Sequence, residues 1–563
     1  MTTTTKRLLN TIVDSRKHYG GSEKPLVRAL KALSKRGIND PELLAAFHEQ
    51  LLFLRAYPPN ARVLEQVEAI LKSFMKRVSK LRKVGVDLSP LDEPEVSGIA
   101  GTSVTSNFSY PIVSWLVAKY SEELSIDWDW FENEEAFAAT MPRFLPLLDE
   151  DAMVEAHVPY RDWLRLAAGR RNELAWLLER LKALRTSEKE RARLYDSLKL
   201  HVRWEFDFSA SRTGMKLPRR KYFFHRTSLI QRRDISLATE LASPAIAVEK
   251  LSQTAGEKIL DLARATSAVR YRELHGFTYG DSRSVVRADL GRGAEAFVMG
   301  VPPEHRLPLR AYHAALVVKN AVPVAYFEGL SLFERMESGF NLYYTFRDGE
   351  TAWLFARMLR LMRQLLDVTV ISIDPYQVGH ENEEGIESGA FWFYRKLGFR
   401  PVQPELMKST LTEEKKIQAK PGYRTSARTL RKLAAGHMLL DTSNTRNQGT
   451  GEWDRFEMRN IGFTVQRHLA RAFSGDSDKF RSAALRFVAR ALSQQYDVLP
   501  FSEMLENFAP VLTLIHDLPQ WTHDEKLLLA RIIKAKAKES ETLYLKLMRQ
   551  HKRLRSAMIA LGK

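Results

Sequence analysis

Between residues 285 and 402 the chain changes its hydrophobic period, and that change limits the folds open to it. Short runs that alternate or are wholly apolar replace helical spacing: "SVVRADL" and "AEAFVMGV" flank "GRG", "AALVVKN" and "VPVAYFEGLSLF" flank "AVP", and "FNLYYTF" follows. A helical stretch, "ETAWLFARMLRLMRQLL", then precedes one more strand-like run, "VTVISID". Runs of four to eight β-branched and aromatic residues bounded by turn formers read as strands, and apolar residues at three and four spacing read as helix. A strand block with an internal helix predicts an α+β chain with a central mixed sheet.

The rest of the chain has helical texture. "KPLVRALKALSKRG" and "NARVLEQVEAILKSFMKRVSKLRKVG" mark a helical N-terminal region over 1–84, and Pro, Gly, Ser and Thr break the pattern over 85–107, which reads as a linker or long loop. Helices resume over 108–249, and a basic helical region follows over 426–563. At 563 residues several domains are expected, with the strand block placed in a domain spanning 250–425. The composition, 44% hydrophobic and 27% charged, is that of a globular multidomain protein.

With no cysteine, disulfides, thiolate metal sites and cysteine nucleophiles are excluded together. The opening "MTTTTKRLLNTIVDSRKHYGG" lacks the apolar core of a secretory signal, and no run of 18 apolar residues is present, so a cytoplasmic protein with no membrane association is expected. The formal charge of +18 favours polyanionic partners: nucleic acid, anionic lipid, or the phosphates of a nucleotide cofactor. Residues 201–234 mix Arg and Lys with Trp204, Phe206, Phe208, Tyr222, Phe223 and Phe224, a composition suited to a single-stranded nucleic-acid groove, although with no recognition-module motif present the preferred reading is a basic loop packing its own aromatics. Gly-x-Ser-x-Gly, Gly-x4-Gly-Lys-Ser/Thr and His-Glu-x-x-His patterns are absent, and no metal site is expected.

The stretch Glu387 to Val402, "ESGAFWFYRKLGFRPV", carries the sharpest signal. Ala390, Phe393, Tyr394 and Leu397 form one apolar helix face, Gly398 is placed to end the helix in a left-handed cap, and Phe399, Pro401 and Val402 open a strand. Together with the element order from Ala314, this resembles the GNAT superfamily of N-acyltransferases. The second core helix of that family commonly ends in Asn-x-x-Ala-x-x-x-Tyr-x-x-Leu-Gly-Phe, and Ala390, Tyr394, Leu397, Gly398 and Phe399 fall on that pattern, with Glu387 in place of the Asn.

The resemblance implies a GNAT-like mixed sheet with flanking helices between mainly helical N- and C-terminal regions. It also implies an acyl-CoA-dependent N-acyltransferase, using acetyl-CoA or another acyl-CoA, that acts on a small-molecule or macromolecular amine. Tyr394 is then the proton donor to the leaving thiolate. The strand ending in Tyr343, Tyr344 and Thr345 borders the slot for the pantetheine arm, and the turn Arg347, Asp348, Gly349, Glu350, Thr351 and Ala352 lies at the pyrophosphate. Gly349 comes one position early against the family's Arg/Gln-x-x-Gly-x-Gly/Ala turn, and Glu350 stands where that turn has glycine, so a carboxylate repelling the phosphates is expected. Amine activation needs a base near the slot. Glu328, Glu334, Glu337, Asp374, His380, Glu383, Glu384 and Glu387 supply acids and an imidazole there, with Glu328 and Glu387 the preferred catalytic carboxylates. The alternative reading is a catalytically inactive GNAT-like protein that binds nucleic acid or an acidic partner through its basic helical flanks.

Overall fold

A computed structural model describes residues 2–219, 221–443, 451–492 and 503–563. The polar loop 441–454 falls partly outside these residues. The chain is α+β. A small antiparallel sheet of β1 (Ser103–Ser106), β2 (Leu124–Ile126) and β3 (Val202–Glu205), in the order β1-β3-β2, lies within the helical segment that precedes the large sheet. The large sheet contains β4 (Val248–Lys250), β5 (Val286–Gly291), β6 (Ala294–Met299), β7 (Ala311–Lys319), β8 (Val322–Leu332), β9 (Arg335–Leu342), β10 (Val370–Ile373), β11 (Arg400–Pro401) and β12 (Met438–Asp441). Its order is β11-β12-β10-β9-β8-β7-β6-β5-β4.

All neighbours in this sheet are antiparallel except β9 and β10, which run parallel and pair only at Arg335 with Val370, Met336 with Ile371 and Glu337 with Ser372. On its other side β9 stays paired with β8 as far as Leu342. The two parallel strands therefore part after Glu337. A parallel pair needs a crossover, and helix Thr351–Leu366 supplies it, with Trp353, Leu354, Phe355, Met358 and Leu359 buried.

The β7–β8 hairpin turns on Asn320 and Ala321, at φ +47° and +70°, with no glycine. Such two-residue turns favour Asn in the left-handed region. This one is held from outside: the Asn320 side chain donates to the carbonyls of Ala56 (2.9 Å) and Phe223 (3.0 Å) and accepts from the Phe223 amide (2.8 Å). The N-terminal helices are thus tied to the sheet rather than standing apart, and their buried residues share one continuous apolar core with the sheet and the C-terminal helices. The helical segment around β1–β3 has a core of its own, built on Trp163, Trp176 and Trp204.

Several elements differ from their expected form. The "FNLYYTF" strand begins earlier, at Arg335, and ends at Leu342; Tyr344–Phe346 is a 3-10 turn. Strands β1, β3 and β12 lie in segments read as linker or helix. Each is four residues long, too short to show a period, and β12 owes its form to partners on both edges, β10 and β11. In the basic stretch 201–234, Trp204 and Phe206 are buried and in contact, while Phe208, Tyr222, Phe223 and Phe224 are half-buried. Among the described residues no helix is long and apolar enough to cross a membrane.

Glu49, in helix Pro41–Ala56, joins three parts of the chain. Its carboxylate accepts from Arg212 (2.9 Å), from Thr345 and from the His48 ring (3.0 Å), and Arg212 also donates to the carbonyls of Val96 and Ser97. Burial pushes the Glu49 carboxyl upward, but Arg212 and His48 outweigh it and bring it to about 2. A folded-state value below the unfolded one gives stability that is present above about pH 4.5 and lost as pH falls toward 2. Glu49→Gln is expected to remove on the order of 3 kcal/mol at neutral pH and to flatten the pH dependence between about 4.5 and 2. Urea unfolding across that range checks both, and a wild-type pH slope retained in the variant would refute the assignment.

Candidate functional site

A cavity of about 770 Å³ opens at the N-terminus of helix Thr351–Leu366. Arg347, Asp348, Gly349, Thr351 and Ala352 line it from the turn, Phe393 from helix Ala390–Lys396, Arg16 and Lys17 from the end of the first helix, and Arg232 and Arg233 from the loop that starts at Ser228. Five of these residues are cationic and only Asp348 is acidic. Asp348 accepts from Arg16 (3.1 Å) with its side chain 82% exposed, and the Arg16 guanidinium also lies 3.5 Å over the Phe53 ring. A helix N-terminus facing a group of arginines is suited to anions through its free amides and its dipole.

Glu350 does not face this cavity. Its carboxylate is turned inward, fully buried, where it accepts from Arg292 (2.6 and 3.0 Å), Lys319 (2.8 Å) and the Ile230 amide (3.2 Å). Burial works to raise the carboxyl, but Lys319 and Arg292 outweigh it and hold it below its ordinary value. Burial lowers Lys319 to about 8 against the pull of Glu350, and burial followed by the Lys319 charge lowers His225 to about 3, leaving that imidazole neutral. The expected repulsion between Glu350 and phosphates is thus cancelled by pairing and orientation. Gly349 is required by packing: a Cβ there would stand 2.6 Å from the Tyr57 hydroxyl.

A second, smaller pocket of about 140 Å³ lies where β9 and β10 part, lined by Tyr312, Glu328, Glu337, Ser338, Gly339, Asp374 and Gln377 together with Leu330. Sheet register explains why these meet. Tyr312 pairs with Leu330, Leu330 with Glu337 and Glu328 with Gly339, so Tyr312, Glu328 and Glu337 project from one face. The Tyr312 hydroxyl donates to Glu328 and accepts from the Gly276 amide (3.0 Å). Burial, followed by the Glu328 charge, raises the Tyr312 phenol far above its ordinary value, so it stays protonated and serves Glu328 as a donor. Strand β9 runs from this acidic pocket toward the turn that lines the basic cavity.

The other expected site residues are placed as follows. Tyr394 is 4% exposed, enclosed by the Phe355, Phe393 and Phe399 rings at 5.2–5.7 Å, and lines neither cavity; burial alone raises its phenol. Its helix ends as the residues predict: Gly398 at φ +102°, with the amides of Gly398 and Phe399 donating to the carbonyls of Arg395 (3.1 Å) and Tyr394 (3.2 Å). Glu387 is exposed at the end of helix Glu383–Glu387 and lines neither cavity. Tyr343 is buried beneath the Arg270 guanidinium (4.0 Å), Tyr344 lies under Arg347 (3.7 Å), and Thr345 donates to Glu49. Glu334 is taken by Arg555 and Trp453 (2.7 Å). Sequence reasoning missed Arg16, Lys17, Arg232 and Arg233 because they reach the turn from distant segments, and missed Tyr312 because its role depends on strand register.

No protein-family model, curated protein or solved structure matches the chain.

Glu350→Gln leaves two cations, Lys319 fully buried and Arg292 partly so, without an anion. It is expected to cost about 3–5 kcal/mol in denaturant unfolding. The double variant Glu350→Leu with Lys319→Met, which removes both charges and keeps volume, is expected to cost less than Glu350→Gln alone. Glu350→Gln as stable as wild type would show that the cluster carries no such weight.

Proposed function

We propose that the chain is an acyl-CoA-dependent N-acyltransferase whose donor lies in the basic cavity and whose amine acceptor lies in the acidic pocket. The observation that carries this is the parting of the parallel pair β9/β10, with three carboxylates lining the pocket at the parting and β9 leading on to the turn that, with five cationic residues, lines the basic cavity. The order β11-β12-β10-β9-β8-β7 and the local pattern ending in Tyr394, Leu397, Gly398 and Phe399 support the same reading.

The residues present fit the donor's phosphates. Arg232 and Arg233 supply charge, with Arg347 shared with Glu384, the start of helix Thr351–Leu366 supplies backbone donors, and of the two carboxylates in the turn Glu350 is paired inward with Lys319 and Arg292 while Asp348 is paired with Arg16. When bound, an acyl-CoA supplies the thioester whose C–S bond breaks as the new N–C bond forms, the sulfur leaving with a proton as the thiol. Glu328 receives the proton that the ammonium loses on becoming a nucleophile, and the Tyr312 hydroxyl fixes the carboxylate for that task. Holding amine and acyl carbon on the two sides of one strand gap removes much of the entropic barrier. Tyr394 belongs in this account to the packing of its helix on Phe355.

Three measurements test this. Calorimetry with acetyl-CoA is expected to show binding that weakens with salt and falls at least tenfold when Arg232 and Arg233 are both replaced by Glu. No binding by wild type would overturn the reading. Glu328→Gln is expected to lower turnover by about 10²- to 10⁴-fold with donor affinity unchanged. Tyr394→Phe keeps the ring and is expected to leave turnover within about threefold; a loss of about 10²-fold in a variant of unchanged stability would instead make Tyr394 the proton donor.

A further inference from the structure

Two helices of the N-terminal region carry charge that the fold itself does not use. Helix Lys24–Lys35 buries Leu26, Ala29, Leu30 and Leu33, and its exposed face bears Lys24, Arg28, Lys31 and Lys35, at i, i+4, i+7 and i+11. Helix Phe74–Lys83 buries Phe74, Val78 and Leu81; with the turn before it, it exposes Lys72, Lys76, Lys80 and Lys83, at i, i+4, i+8 and i+11. Arg77 joins the two, donating from the second helix to the carbonyls of Ser34 and of Arg36 (3.1 Å) at the end of the first. No acidic residue occurs over 24–39 or 69–86.

Among the described residues none of these eight cations is in an ion pair. Exposed lysines elsewhere do find partners: Lys119 pairs with Asp261, Lys416 with Glu413 and Lys479 with Asp476. The acids that flank the two stripes in sequence are engaged by other groups. Glu23 accepts from Asn60 and Asp40 from the Leu43 amide (3.1 Å), Glu68 is held by Arg55 and Lys216, and Asp87 accepts from the Ser89 amide (2.9 Å). Both stripes therefore keep their full charge toward solvent.

The chemistry of the two faces selects among polyanions. Each stripe is about 17 Å long, a length over which duplex nucleic acid carries about ten phosphate charges. Lysine is depleted at protein–protein interfaces and, as a hydrated point charge, suits phosphates met without fixed geometry. Neither exposed face carries an aromatic on which an unpaired base could stack. The apolar faces of both helices belong to the protein core, so nothing remains to enter a bilayer.

We propose that the exposed faces of helices Lys24–Lys35 and Phe74–Lys83 bind the phosphate backbone of double-stranded nucleic acid without regard to base sequence. None of the eight residues lines the basic cavity, and the inference stands without the acyltransferase reading.

Fluorescence anisotropy with a labelled 20-bp DNA duplex reads Kd for the full chain between 50 and 200 mM salt. Wild type is expected to bind at the lower salt, to weaken with a log–log slope of about −0.9 per phosphate neutralised, and to hold a second, unrelated sequence within about threefold. Replacing Lys72, Lys76, Lys80 and Lys83 together by Gln, which has a similar helix propensity, is expected to raise Kd at least about tenfold at 50 mM salt and to make the slope shallower by about 3 to 4. Replacing Lys24, Arg28, Lys31 and Lys35 is expected to act alike. A control that replaces Lys408, Lys415, Lys420 and Lys432, exposed elsewhere on the chain, removes the same charge and is expected to stay within about threefold of wild type. No duplex binding by wild type at 50 mM salt overturns the inference. So do stripe variants that bind as wild type does, a control weakened as much as they are, or tighter binding of a 20-nucleotide single strand or of phosphatidylserine vesicles than of the duplex.

Discussion

The Glu350 carboxylate, buried between Lys319 and Arg292, is the interaction on which the arrangement of the site depends. Lys319 ends β7, Arg292 lies in the β5–β6 turn, Ile230 belongs to the long connection before the sheet, and Glu350 immediately precedes the crossover helix. A charge removed from water costs several kcal/mol, so each of these segments is held to the one geometry that satisfies the anion. The Lys319 ammonium is also surrounded by the rings of Tyr57, Phe223 and Trp353 at 5.0–5.5 Å, which brings the end of helix Pro41–Ala56 into the same node. The start of helix Thr351–Leu366 is thereby fixed relative to two hairpin ends. Its first turn can face a cavity without the glycine-rich loop that would otherwise provide close approach.

The same node resolves a conflict within the sequence. A glutamate at the first turn of a helix is favourable to the dipole and unfavourable to a phosphate nearby. Turned inward and paired twice, Glu350 keeps the first property and loses the second. Arg16, Lys17, Arg232, Arg233 and Arg347 then set the sign of the cavity. The sheet makes the corresponding separation on the acidic side: alternation places Tyr312, Glu328 and Glu337 on one face, where a one-residue slip would have moved them to the other.

Legibility from sequence followed the range of the interactions. The end of helix Ala390–Lys396 was readable because its cap uses residues within six positions, from Tyr394 to Phe399. The hairpins β5–β6 and β7–β8 were readable because turn and strands are contiguous. Strand β12 was not, since "MLLD" acquires its form only from β10 and β11. The β9/β10 gap was implied by family resemblance but located by register, which ends the pairing at Glu337 rather than along "NLYYTF". Arg16 lay beyond any local pattern, meeting Asp348 across 332 positions of chain. Tyr394 shows the opposite limit: a motif position identified by its neighbours gave the helix correctly, while its surroundings, three phenylalanine rings, are a property of the packed core.

Because Val13, Arg16 and Lys17 form one wall of the basic cavity, the site is assembled from segments as far apart in the chain as Arg16 and Asp348, 332 positions. An anion bridging that wall and the turn at Arg347–Ala352 would stabilise only conformations in which the first helix is docked. Occupancy and the docking of helix Thr2–Ser15 are therefore one equilibrium seen from two sides, and amide exchange in the first helix becomes a gauge of whether the cavity is filled.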